Sequence, residues 1–117
     1  SDSWLDSLAG HAELARSDYA VNVWPSLRAD DAMAVDDRGF RGWVKSLENR
    51  TATSIKDLEG YWHALLQRLD EFGGLGCILA DHAVDDFSYT EVSESVAASL
   101  FPAAPPLCVA SHQLPVA

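Results

Sequence analysis

The sequence predicts an α/β fold, with α+β as its variant: a small mixed sheet of three or four strands, about four helices packed on it, and a C-terminal strand–helix–strand unit. Three observations lead there. Ile55, Leu58, Trp62, Leu65, Leu69 and Phe72 recur at the spacing of one helical face. Two short apolar runs, residues 77–80 and 107–111, read as internal strands covered on both faces. Between them "DDFSYTEVSESVAASLF" reads as a helix with a Ser88-x-x-Glu91 capping box, and the segment as a whole suits a right-handed parallel crossover. With 117 residues and 48% apolar composition, including four Trp and four Phe, the chain suits one core and hence one domain over 1–117.

The elements follow in order. Residues 3–18 read as an amphipathic helix, capped by Asp2 or Ser3, with Trp4, Leu5, Leu8, Ala12 and Ala15 on one face. "YAVNVW", residues 19–24, alternates and ends at Pro25, as a strand would. Residues 32–35 read as a short second strand in a loose hairpin with it. Asp36 and Asp37 are placed to cap a helix reaching Glu48, with Phe40, Trp43, Val44 and Leu47 facing inward. After the polar "ENRTATS", Ser54 caps the longest helix, which Gly73 and Gly74 stop. The last five residues carry a proline and no charge, so the tail from about 113 is expected to be loosely held.

The formal net charge is −10, and its placement is uneven. No Lys or Arg follows Arg68, whereas Asp70, Glu71, Asp81, Asp85, Asp86, Glu91 and Glu94 do. Nucleic-acid binding needs cations to release condensed counterions, so this part is excluded as a nucleic-acid surface. The longest apolar runs fall far short of a membrane span, and the acidic N-terminus lacks the basic start of a secretory signal, so no membrane partner and a cytoplasmic location are expected. Cys77 and Cys108 have no metal or redox spacing and read as buried thiols.

"LADHAVDDFSY" is the sharpest cluster. Asp81, His82, Asp85 and Asp86 follow a predicted strand, where open α/β sheets bind ligands, and the Asp81/His82/Asp85 set suits a small Mg²⁺- or Mn²⁺-dependent hydrolase-like site. Set against this, such a site also needs a cation for its substrate, and the capping box assigns Asp85 and Asp86 to a helix entrance. "GGLG" follows a helix and precedes a strand, the reverse of a phosphate loop. His11, His63 and His112 lack the neighbours of a nucleophilic triad. Tyr61 and Trp62 occupy adjacent helical positions and cannot both face inward, so one is expected at the surface.

The preferred functional reading is therefore a small acidic binding module without cofactor. Asp81, His82, Asp85, Asp86, Glu91 and Glu94, backed by Asp70, Glu71 and Tyr61, would meet a basic protein partner in the manner of an inhibitor or immunity protein against a toxin. The order of the final elements is similar to that of the barstar-type ribonuclease inhibitors, which implies the same kind of role. The alternatives are the metal-dependent enzyme above and a subunit or chaperone of a larger complex.

Overall fold

The computed structural model describes residues 1–85 and 88–102. Its elements run β1 (Asp2–Ser3), α1 (Ala9–Arg16), β2 (Leu27–Arg28), α2 (Asp30–Met33), α3 (Phe40–Thr51), α4 (Leu58–Gly74), β3 (Ala80–Asp81) and α5 (Glu94–Leu100). The three short strands form one sheet in the order β1-β2-β3, and both pairings are parallel. The architecture is α/β, as predicted. Among the described residues the sheet is wholly parallel rather than mixed, and the second strand of the expected C-terminal crossover, residues 107–111, lies outside the described residues.

Helices α3 and α4 supply most of the core. Phe40, Val44 and Leu47 of α3 meet Tyr61, Ala64, Leu65 and Phe72 of α4, while Trp4, Leu8 and Leu27 join from the sheet side. The aromatic members interlock: the Phe40 and Tyr61 rings meet edge to face at 5.8 Å, and Phe101 closes on Tyr61 at 4.9 Å. Helix α3 runs past the predicted Glu48 to Thr51, whose hydroxyl donates to the Leu47 carbonyl. It ends at Ala52 in the left-handed region. The cap of α4 is Asp57, not Ser54: its carboxylate accepts the Gly60 N–H at 2.8 Å.

The inward stripe of α4 is rotated from the predicted one. Tyr61 and Arg68 are buried, whereas Trp62 and Leu69 are exposed, so Tyr61 is the inward member of the Tyr61/Trp62 pair. Gly73 and Gly74 remain helical, and the turn beyond them is made at Gly76. There φ is +92°, and a Cβ would stand 2.4 Å from Cδ1 of the Trp24 indole.

Other boundaries differ from expectation for traceable reasons. The N-terminal helix starts only at Ala9, because residues 2–3 pair with β2 and the chain then turns, with the Asp6 N–H donating to the Ser3 carbonyl. Residues 19–24 form no strand; Tyr19, Val21 and Trp24 are exposed, and the strand forms beyond Pro25, where Leu27 finds the Leu79 carbonyl. Residues 30–33 are a helical turn rather than a strand. β3 is shifted to Ala80–Asp81 and is not covered on both faces, since Ile78 and Leu79 before it are exposed. The last helix is capped by Ser93, whose hydroxyl accepts the Val96 N–H, so the Ser88/Glu91 box does not start it. No helix among the described residues is long and apolar enough to cross a membrane.

Candidate functional site

Parallel pairing brings the C-terminal ends of all three strands to one edge of the sheet, and the register sets Ser3 beside Arg28 and Arg28 beside Asp81. Side chains at matched positions of neighbouring strands leave the sheet on the same side. Asp2, Leu27 and Ala80 therefore share the other face, where buried Leu27 joins the core, and Ser3, Arg28 and Asp81 line the face turned away from it.

Arg28 and Asp81 form a two-point pair. The guanidinium Nε donates to Asp81 Oδ1 and Nη2 to Oδ2, each at 3.0 Å. Asp30 stands behind, its Oδ2 3.5 Å from Arg28 Nε, while its Oδ1 accepts the Ala83 N–H at 2.8 Å. The backbone repeats the link, since the Ala29 N–H donates to the Asp81 carbonyl. Both pair members remain about half exposed, at 46% and 58%. An exposed pair of this kind adds only about 0–1 kcal/mol to stability. The arrangement is therefore weakly stabilising but geometrically defined, and the Nη1 end of the guanidinium lies outside the pair. His82 follows at the strand mouth, exposed, with Nδ1 2.9 Å from the Ala83 carbonyl.

The loop after β1 is tied to the residue that follows Arg28. Trp4, buried at 6% exposure, donates its indole N–H to the Ala29 carbonyl at 3.2 Å. The carbonyls of Trp4 and Asp6 accept from the buried Arg68, and that of Leu5 from Arg50.

The other residues assigned to a partner surface do not gather here. Asp85, Glu91 and Glu94 are exposed beyond β3, Glu94 in the first turn of α5, and Asp86 lies outside the described residues. Asp70 is exposed on α4, and Glu71 pairs with Arg68. Tyr61 is buried, donates its hydroxyl to the Ala32 carbonyl, and has its ionisation pushed up by burial; it is a core residue with no contact surface to offer. Among the described residues no three His, Cys, Asp or Glu side chains are grouped to hold a metal ion, so Asp81, His82 and Asp85 form no ready ligand set. Cys77 is a partly buried free thiol, and Cys108 lies outside the described residues.

A glucuronate isomerase family model matches residues 1–108. The chain belongs to the glucuronate isomerase family. It is 36% identical to the uronate isomerase of Bacillus licheniformis over 101 residues, which is 86% of this chain and 21% of that protein. The uronate isomerase of Oceanobacillus iheyensis is 35% identical over 102 residues, 86% of this chain and 22% of that protein. The crystal structure of a uronate isomerase from Thermotoga maritima superposes with a TM-score of 0.79 at 29% identity, over 87% of this chain and 23% of that one. The chain thus spans about a fifth of the length of the curated relatives it matches.

Family membership overturns the reading as an inhibitor or immunity protein and the expectation of a basic protein partner. The relatives are enzymes named for a small uronate. The error has a physical source. Charge was counted along the sequence, where no cation follows Arg68, but the fold returns Arg28 to Asp81 across 53 residues and neutralises that carboxylate from another strand. Arg28 lies 53 residues before Asp81, so nearness in sequence to the acidic cluster does not point to it. The signal that finds it is an arginine just beyond an apolar strand position, which becomes informative once the parallel register is known.

Proposed function

We propose that this chain contributes to the substrate site of a uronate isomerase, with Arg28 as the group that recognises the uronate carboxylate. The observation that carries the reading is the placement of Arg28 at the C-terminal ends of parallel strands, where open α/β sheets bind ligands, in a chain of this family. A uronate differs from a neutral sugar by its carboxylate, and the planar guanidinium fork matches a carboxylate at two points. Asp81 holds Arg28 by Nε and Nη2 and leaves Nη1 outside that pair.

Isomerising a sugar relocates hydrogen within it, which requires a proton carrier. His82 lies next to Asp81 at the same strand end, and an imidazole is the side chain most often used to carry a proton in catalysis. When Nδ1 donates to the Ala83 carbonyl, Nε2 is left as the acceptor. The match to about a fifth of each relative supports a contribution to the site rather than the whole of it.

The test is Arg28→Met in the intact protein, assayed on glucuronate and on glucose, its neutral counterpart. Loss of a charged hydrogen-bond partner, about 1.5–3 kcal/mol, raises KM for glucuronate by about ten- to a hundredfold and narrows its advantage over glucose. An unchanged KM and an unchanged preference would remove Arg28 from the site.

A further inference from the structure

We propose that Arg68, assisted by Arg50 and acting through Trp4, is a positioning residue that sets the geometry of the strand-end site; this rests on the reading of Arg28 as the carboxylate-recognising group. Arg68 lies in the inward stripe of α4 and is 2% exposed. A leucine in that stripe would fill the core without the desolvation penalty of several kcal/mol that a buried guanidinium carries. The charge is therefore costly where it stands, and its donors show what it is used for.

Nε of Arg68 donates to the Trp4 carbonyl at 2.6 Å, and one Nη donates to the Asp6 carbonyl at 2.8 Å. Glu71 takes the other Nη, and the Phe72 ring lies 5.3 Å beneath the guanidinium carbon. From α3, Arg50 donates twice to the carbonyl between them, that of Leu5. Three successive carbonyls at the end of β1 are thus held by two helices. The turn closes on itself as well, through Ser3 N–H to Asp6 Oδ2 and Asp6 N–H to the Ser3 carbonyl.

From this turn the constraint passes to the site. The Trp4 indole N–H reaches the carbonyl of Ala29, the residue between Arg28 and Asp30, and the Ala29 N–H reaches the Asp81 carbonyl. A continuous run of hydrogen bonds therefore joins the buried guanidinium of Arg68 to the backbone beside Arg28 and Asp81. An error of about 1 Å in placing a substrate-binding group costs up to about a hundredfold in rate, so a rigid link of this kind bears on turnover as well as on folding.

Four variants of the intact protein, Trp4→Phe, Arg68→Lys, Arg68→Met and Arg28→Met, test the proposal, each measured for thermal midpoint and for kcat and KM on glucuronate and glucose. Trp4→Phe keeps the ring and removes the N–H to Ala29. The expected result is a roughly tenfold fall in kcat/KM for glucuronate and a smaller preference over glucose, with the thermal midpoint lowered by only a few degrees. Arg68→Lys keeps the charge but replaces the planar fork by a point donor, so it recovers thermal stability relative to Arg68→Met without recovering kcat/KM. Wild-type kcat/KM and preference in Trp4→Phe, with Arg28→Met impaired, would overturn the positioning role and leave the reading of Arg28 standing. That result decides the matter even if the Arg68 variants do not fold. If Arg28→Met is itself indistinguishable from wild type, the reading of Arg28 fails, and the positioning role falls with it.

Discussion

The α3–α4 layer and the segment from β3 through α5 treat their apolar residues in opposite ways. In the first, Phe40, Val44, Leu47, Ala64, Leu65 and Phe72 are nearly or fully buried against one another. In the second, taken with the residues flanking it, Ile78 and Leu79 stand 83% and 67% exposed, Leu100 is 71% exposed, and among the described residues only Phe101 reaches the core. Both segments carry large apolar side chains, so the difference lies in what covers them. Apolar area stabilises only when removed from water, and among the described residues the helical layer has a partner face whereas the β3 segment does not.

The contrast can be broken by substitution on the 117-residue chain. The largest effect is expected for Leu47→Ala, which empties a fully buried site and lowers unfolding free energy by about 2–5 kcal/mol in urea titrations. A loss below about 1 kcal/mol would show that this layer is not the packed one.

A smaller, pH-dependent effect belongs to Glu48, which joins α3 to the entrance of α4. Its carboxylate accepts the Ile55 N–H at 2.7 Å and faces Lys45 at 3.4 Å. The Ile55 N–H, followed by the lysine, holds its pKa below the usual glutamate range. A folded-state pKa below the unfolded value of about 4.3 contributes stability above that pH and loses it as pH falls through the folded value. Glu48→Gln is therefore less stable than wild type at pH 7, and the gap closes in the acid limb; a gap constant from pH 7 to pH 3 would contradict the assignment. The smallest effect is expected for Ile78→Ser, within about 0.5 kcal/mol of wild type. A loss comparable to that of Leu47→Ala would show that the β3 segment is covered after all.

The same division separates what the sequence revealed from what it hid. Phe40, Val44 and Leu47 were legible because helical periodicity is local and their partners lie on the next helix. The inward face of α4 was misjudged by about one position, since periodicity ranks hydrophobicity and could not foresee a buried Arg68 bound to backbone carbonyls more than 60 residues away. Strands of two residues leave no periodic trace at all. Asp81 ends β3 and His82 follows it, but the partner of Asp81 is Arg28, which only the parallel register supplies.

That dependence sets the central claim, that the strand ends of this chain serve a uronate isomerase. The most direct measurement is isomerisation by the intact protein, followed by NMR of the sugar in parallel reactions with glucuronate and glucose. The account predicts conversion of glucuronate and far slower conversion of glucose, whereas equal conversion of both, or none of either, would contradict it.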